Sequence, residues 1–229
     1  MTFYVSILVV ATSYGAQDDK YRFEVNSSPY NVTYSDWAAK WWRWYVSVPK
    51  TESPNNLDYP NHIVNQTCSV MQDPASPVFF LFTPYVEEKV ADRTCTIPAN
   101  KAILIPIVNA EMDTGDPTLT ENSTKGLIDT ATAGNNNAVI SVKLDGVTLD
   151  FNHDQKYRVT TKPFNITLPE HNLWEEKEKP GTYTGVAEGY FLILKPLPIG
   201  NHTLYYEAGT GEPNPNQYAQ SVTYRLIVK

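Results

Sequence analysis

The sequence predicts a mainly β protein, a single antiparallel β-sandwich or jelly roll with two short helices over residues 35–47 and 119–133. Three observations lead to this prediction. Short runs of β-branched and aromatic residues recur along the chain, and turn-forming Gly, Pro, Asn and Asp separate them as in a sandwich. No linker or internal repeat divides the 229 residues. A chain of this length can bury a core without disulfides or metal ions. Because no linker divides it, we expect one domain over residues 17–229.

The first seventeen residues carry no charge and contain an apolar run, residues 3–11, followed by small residues. This is typical of a signal peptide, here residues 1–16 with cleavage near Gly15 or Ala16, although no Lys or Arg precedes the run. The run is too short to cross a bilayer, which takes about 20 apolar residues, and we predict no transmembrane span. The alternative is an N-terminal strand, since residues 2–10 are rich in β-branched and aromatic side chains.

Four of the five tryptophans lie in the window that we predict to be the first helix, residues 35–47. Ser35 is a good N-cap and Pro49 ends the helix. Its apolar face is expected to seal a β-core. That face is formed at helical spacing by Trp37, Trp41, Trp44 and Val48. The alternative is that Trp42, which projects beside this face, forms with Tyr45 an aromatic platform for a sugar ring or a partner.

The other elements follow from hydrophobic periodicity and turn signals. Two continuous apolar runs, residues 77–82 and 102–108, predict buried strands, and Pro106 in the second implies a sheet edge or a bulge. Thr118 and Glu121 form a capping box that opens the second helix, which Gly134 closes. Asp145-Gly146 between two β-prone runs is the strongest hairpin signal in the chain. Further strands are predicted at residues 157–161, 164–168, 189–194, 201–207 and 221–228.

Two independent features predict export. Cys68 and Cys95 are the only cysteines, and a disulfide between them would stabilise the fold by about 3 to 4 kcal/mol. Six N-glycosylation sequons are present where about three would arise by chance from the composition. Their acceptors are Asn26, Asn31, Asn65, Asn122, Asn165 and Asn201. Cysteines and sequons together indicate an extracellular or cell-surface protein from a eukaryote or an archaeon.

Several motifs of the mature chain resemble those of a family of secreted bacterial and archaeal proteins. The family shares the runs WWxW…P, GPVWFL, RxCxxPAGKA, LPxxN, GY and PLxPGxH. The corresponding residues here are 41–49, 77–81, 93–102, 168–172, 189–190 and 196–202. Ser76 and Asn100 stand where the family has Gly. The resemblance implies a fold and an extracellular location without a mechanism, and with the sequons it indicates an archaeal surface member.

The charge and the motif content exclude several function classes. The net charge is -7 and no basic cluster is present, which argues against nucleic acid as a partner. The chain has no nucleophile elbow, no Gly-rich phosphate loop and no His pair at metal-binding spacing. The loop after the second buried strand carries Glu111, Asp113 and Asp116, which are expected to be solvated; the alternative is a weak calcium or polar-ligand site. His171, beside Glu170, is a further candidate ligand-binding residue.

Three functional hypotheses follow from these residues. The first is a structural or adhesive protein that assembles through strand edges with itself or with other cell-surface proteins. The second is a carbohydrate-binding module that uses Trp42 and Tyr45. The third is a metal-assisted hydrolase at the acidic loop, residues 111–116. The missing catalytic spacings favour a protein that is not an enzyme.

Overall fold

The computed structural model describes residues 20–53, 68–84, 89–151, 156–174, 178–210 and 219–229. Within these ranges the chain is mainly β, with two α-helices and two five-stranded sheets, which confirms the predicted fold class. The predicted signal peptide and the Asn65 sequon lie outside the described residues. No helix in the described ranges is long and apolar enough to cross a membrane.

The first sheet has the strand order β1-β3-β8-β6, and β7 also pairs with β8. Its strands are β1 (Val78–Phe80), β3 (Ala102–Asp113), β6 (Arg158–Thr160), β7 (Phe164–Leu168) and β8 (Gly181–Leu194). The second sheet has the order β2-β10-β9-β4-β5. Its strands are β2 (Val90–Ile97), β4 (Val139–Leu144), β5 (Val147–Leu149), β9 (Gly200–Gly209) and β10 (Gln220–Val228).

The sheets are mixed, so the expectation of purely antiparallel pairing is corrected for one pair in each sheet. β1 runs parallel to β3, and β2 runs parallel to β10 over eight residue pairs. All other pairs are antiparallel, including the hairpin around Asp145 and Gly146, whose positive φ angles of 50° and 80° suit a tight hairpin turn. The parallel partners are distant along the chain, and local sequence patterns do not record such pairings.

The first helix, α1 (Tyr34–Ser47), begins one residue earlier than predicted. Thr33 is the N-cap and accepts a hydrogen bond from the backbone N–H of Asp36 at 3.1 Å. Ser35 instead donates to the carbonyl of Thr160. Trp41 is fully buried, and its indole N–H donates to the carbonyl of Leu81 at 2.8 Å. The tryptophan face therefore seals the core as expected.

The second helix, α2 (Thr124–Gly134), begins five residues later than predicted. Its N-cap is Ser123, whose hydroxyl accepts from the N–H of Gly126 at 3.1 Å. Thr118, the predicted cap, donates both its N–H and its hydroxyl to Asp116 Oδ1. The capping box is wrong because a local Asp turn already uses the threonine.

The core lies between the two sheets and under α1. β3 is buried at every position from Ala102 to Val108, and β8 at every position from Gly185 to Leu194, so both faces of these central strands are covered. α1 packs against β6, β7 and β8. The Cys68–Cys95 disulfide forms as predicted and ties the segment before β1 to β2. All five sequon asparagines in the described ranges are exposed, as N-glycan acceptors must be.

Candidate binding cleft at the open edge of β3

One edge of β3 has a strand neighbour along only part of its length. β1 pairs with β3 from Ala102 to Leu104, and the N–H of Leu81 then donates to the carbonyl of Leu104. Beyond this point no described strand flanks that edge. Pro106 lies where the edge opens, beside a register shift between Pro106 and Val108, so both the edge and the bulge that it predicted are present.

The backbone of two residues points its polar groups out of this open edge. Asn109 and Glu111 are paired with Gly189 and Ala187 of β8, but the carbonyl of Ala187 bonds to Thr161 on the opposite side. In an antiparallel ladder such pairs do not bond to each other, so the N–H and C=O groups of Asn109 and Glu111 face outward. No hydrogen bond joins these groups to another backbone group in the described ranges.

A cleft of about 450 Å³ follows the open edge. Six consecutive residues of β3, 107–112, form its floor. One wall is aromatic and consists of Trp42, Tyr45 and Trp174. Thr83, Pro84, Gly134, Asn135, Ala208, Thr210 and Gln220 complete the lining. The cleft therefore exposes a strand edge between an aromatic wall and a mostly small or polar wall.

Within the described part of the chain, three polar side-chain atoms in this lining are buried and have no hydrogen-bond partner. They are Trp42 Nε1, Asn109 Oδ1 and Glu111 Oε1. Buried polar groups in native proteins are nearly always paired, and an unpaired one costs about 1 to 3 kcal/mol. Three such atoms in one cleft, one donor and two acceptors, indicate a surface prepared for a polar ligand.

Glu111 lies in a strongly acidic environment. Burial raises the pKa of its carboxyl well above the ordinary value, and the negative charges of Asp113, Glu178 and Asp116 raise it further. Across the sheet, a Cβ atom at Gly185 would lie 2.3 Å from Glu111 Oε1, so the glycine leaves room for this carboxylate. Burial also raises the pKa of Asp113, although hydrogen bonds with the Gly115 N–H and the Glu178 carboxyl oppose that shift.

The structure places the three predicted metal ligands near one another, but Asp116 is already engaged by a neighbour in its own loop. Glu111 and Asp113 share one face of β3, whereas Asp116 uses Oδ1 to accept from Thr118. Among the described residues, no three His, Cys, Asp or Glu side chains are placed to hold a metal ion. Calcium therefore stays a prediction without support from the geometry, and of the predicted ligands Glu111 lines the cleft whereas Asp113 and Asp116 do not.

The predicted aromatic residues line the cleft but do not present a flat platform. Trp42 is 7% exposed and Tyr45 is 3% exposed. Both pack against Trp41, with Tyr45 stacked on its ring at a centroid distance of 4.6 Å. His171 is exposed, lies outside the cleft lining and uses its backbone carbonyl to accept from the N–H of Lys50.

Two residues shape the cleft in a way that the sequence did not predict. Trp174 lines it, and Asn172, which is completely buried, holds the segment that carries Trp174 and Glu178. The Asn172 amide donates to the carbonyls of Pro169 and Glu178, and its oxygen accepts from the N–H of Trp174 at 2.7 Å. The Leu-Pro-x-x-Asn motif contained the signal, because Asn172 is its last residue.

A second buried carboxylate lies on the opposite face of the same sheet. Glu188 is 2% exposed and forms an ion pair with Arg158. Its other oxygen accepts from the Asn135 amide at 2.8 Å, and Arg158 also donates to the carbonyl of Thr132. This network joins α2 to β6 and β8, which gives Glu188 a structural role.

Comparison with known proteins adds little. No family model matches the chain, and no curated protein matches it significantly. Among solved structures, PbICP-C in complex with falcipain-2 is 10% identical with a TM-score of 0.25, and the match covers 66% of this chain and 98% of that one. The cysteine protease inhibitor EhICP2 from Entamoeba histolytica is 11% identical with a TM-score of 0.22, over 61% and 94% of the two chains. TM-scores this low carry no inference about topology or function.

Proposed function

We propose that this chain is an N-glycosylated extracellular or cell-surface protein with a structural or adhesive role. In this proposal it binds an extended segment of a neighbouring polypeptide along the open edge of β3. The observation that carries the proposal is the cleft, whose floor is the part of the β3 edge that no described strand flanks. A strand added there would receive main-chain hydrogen bonds from Asn109 and Glu111, and its alternate side chains would enter the cleft.

Three further observations support the extracellular part of this proposal. The Cys68–Cys95 disulfide is typical of an oxidising compartment. The five sequon asparagines in the described ranges are all exposed. The resemblance to secreted proteins, including the tryptophan helix, agrees with both features. Structural and adhesive surface proteins work through contacts with neighbours, and a strand edge offers such a contact.

The first test asks whether the β3 edge is occupied in the native assembly. The full-length protein would be extracted gently from its own cell surface, and its mass, glycan load and amide hydrogen exchange would be measured before and after dissociation. We expect a complex in which the amides of Asn109 and Glu111 exchange at least ten-fold more slowly than in the dissociated chain. A monomer whose edge amides exchange equally fast under both conditions would contradict the proposal.

Two variants at Asn109 distinguish the contribution of main-chain pairing from that of the side chain. Asn109→Pro removes the outward N–H, and proline is tolerated on a strand edge. Asn109→Ala keeps that N–H and removes only the amide side chain. We expect the proline variant to fold, as checked by circular dichroism, and to lose the complex, whereas the alanine variant retains most of it. Equal behaviour of the two variants would show that main-chain pairing does not hold the partner.

Carbohydrate binding in the same cleft is the second candidate, favoured by its three aromatic rings. Because Trp42 and Tyr45 are buried, replacing them would cost core packing as well as binding. Trp174 is only partly buried and gives the cleaner test. If the cleft binds a sugar ring, Trp174→Ala should abolish binding on a glycan array while the unfolding midpoint stays nearly unchanged. Absence of binding by the wild-type protein to any glycan would remove this candidate.

A further inference from the structure

The acidic side chains at and beside the cleft indicate which kind of strand it binds. Asn109, Glu111 and Asp113 alternate along β3 and therefore share one face of the sheet. The register partners of these residues on β8 are Gly189, Ala187 and Gly185. Small partners leave space above the acidic side chains, and at Gly185 that space is occupied by the Glu111 carboxylate. The carboxylate therefore leans over β8, on the side of β3 away from the open edge, and a long side chain of an added strand would have to reach across β3 to meet it.

No basic side chain in the described ranges forms an ion pair with Glu111. Three described carboxylates act on its charge: Asp113 on β3, Asp116 in the following loop and Glu178 before β8. Burying a carboxylate beside like charges is costly unless a cation or hydrogen-bond donors compensate it. Within the described ranges, the Glu111 carboxylate is therefore an ion-pair acceptor that has no basic donor.

Three observations besides the acidic cluster indicate a ligand at this place. The indole N–H of Trp42, whose side chain is almost completely buried, lines the same cleft without a partner. Asn109 Oδ1 is likewise buried and unpaired. Asn109 and Glu111 also direct their backbone groups out of the open edge. A polypeptide supplies donors and acceptors at strand spacing and would satisfy the backbone and side-chain groups together.

We propose that the segment bound along β3 carries a lysine or arginine side chain that pairs with Glu111. This inference rests on the proposed function, since it specifies the chemistry of the same bound strand. The partner is then a polypeptide with a basic residue in an extended, otherwise apolar stretch. The apolar neighbours of that residue would face Trp42, Tyr45 and Trp174, and the basic side chain would satisfy Glu111 Oε1.

Binding of such a cation is coupled to a proton. In the free protein the pKa of Glu111 is raised, first by burial and then by Asp113, Glu178 and Asp116. A cation beside the carboxyl lowers its pKa, so binding favours the ionised form and releases a proton to the buffer. The proton moves from the Glu111 carboxyl to solvent, and no covalent bond changes. A neutral strand would release none.

The test uses a set of synthetic heptapeptides with alternating valine and threonine and a central lysine, norleucine, glutamine or glutamate. Isothermal titration of the full-length protein, in two buffers of different ionisation enthalpy, gives both the affinity and the number of protons released. We expect the lysine peptide to bind at least ten-fold more tightly than the norleucine peptide and to release a measurable fraction of one proton. The glutamate peptide should bind most weakly.

Two variants assign the effect to one carboxylate. Glu111→Gln should reduce the preference for lysine over norleucine to less than two-fold and abolish the proton release. Glu170→Gln removes the same charge from an exposed position outside the cleft lining and should leave both unchanged.

The possible results separate the two proposals. If all peptides protect the amides of Asn109 and Glu111 with equal affinity, strand binding stands and the basic partner is overturned. A preference for lysine that persists in Glu111→Gln also overturns the inference, because the selectivity then lies elsewhere. If no peptide binds and the edge amides stay unprotected, strand binding and the inference fail together.

Discussion

Two buried carboxylates of the first sheet lie next to each other across a strand pair, yet their surroundings are opposite. Glu188 is the register partner of Ala110, and Glu111 is the register partner of Ala187. Because side chains alternate along a strand, the two carboxylates point to opposite faces of the sheet. Glu188 has Arg158 and the Asn135 amide as partners, whereas Glu111 Oε1 has no hydrogen-bond partner among the residues that the structure describes.

The difference distinguishes a completed structural contact from an incomplete binding site. A buried ion pair with additional hydrogen bonds is satisfied within the fold, and loss of one member leaves a charge uncompensated. A buried carboxylate beside other carboxylates remains costly until something outside the fold supplies a donor. On the sheet face that carries Glu188, α2 covers the carboxylate. On the other face, Glu111 lines the cleft along the β3 edge that no described strand flanks. The predictions below test whether the two carboxylates differ in this way.

The largest loss of stability is expected when the satisfied carboxylate, Glu188, is removed. Glu188→Ala leaves the Arg158 guanidinium without its partner, and we expect the free energy of unfolding to fall by about 3 kcal/mol, as measured by urea denaturation. The control is Asp129→Asn, which breaks the exposed pair with Lys125 and should leave the urea midpoint nearly unchanged. A midpoint for Glu188→Ala as close to wild type as that of the control would show that this network does not hold α2 in place.

Removing the unsatisfied carboxylate of Glu111 is expected to raise the free energy of unfolding rather than lower it. Because the folded chain holds the Glu111 proton more tightly than the unfolded chain, stability is greatest below the ordinary pKa of 4.5 and is lost as pH rises through the raised folded value. Glu111→Gln removes this loss. We expect it to raise the free energy of unfolding by about 1 kcal/mol at neutral pH and to flatten the decline above pH 4.5.

Urea denaturation from acid to neutral pH checks that result, with Glu170→Gln as the matched removal of one exposed charge. The control should follow the wild-type pH profile. A loss of stability in Glu111→Gln at neutral pH would mean that the carboxylate is satisfied within the fold, and the cleft would then lose its strongest indication of a ligand.

The sequence predicted the elements whose determinants are local. The hairpin at Asp145-Gly146 needs two residues with positive φ, and the tryptophan helix needs only its apolar face and a nearby stop. The disulfide followed from a count of two cysteines. Each of these depends on residues that lie close together or that have no alternative partner, so the pattern alone was sufficient.

The binding cleft could be predicted only in part. The sequence identified Trp42, Tyr45, Glu111 and Asp113, but as members of two separate sites. Whether these residues lie together depends on where β1 stops pairing with β3. That pairing joins segments distant along the chain, and local sequence patterns do not specify it. The start of α2 was misplaced for a related reason, because Thr118 had a competing local partner in Asp116. Sequence patterns show which groups are available and not which partner each one finds.

The smallest change in stability is expected for Asp145, a surface carboxylate that pairs with His202. His202 Nδ1 lies 2.7 Å from Asp145 Oδ2, and Nε2 lies 2.9 Å from the carbonyl of Pro198. Both partners are acceptors, so both ring nitrogens donate only when the imidazole is protonated. Burial alone would lower the pKa of His202, but the bonds to Asp145 and Pro198 outweigh it and raise the pKa above 6.5.

The resulting stabilisation is complete below pH 6.5 and is lost as pH rises through the folded pKa. Asp145→Asn keeps a side chain that tolerates the positive φ of this turn and removes the charge that favours the imidazolium. We expect the variant to lower the pKa of His202 in an NMR titration and to lose about 0.5 kcal/mol of stability, and only on the acidic side. An unchanged histidine pKa would show that solvent screens this pair completely. Pairing at the surface would then contribute nothing measurable, unlike the pairing expected for the buried carboxylate of Glu188.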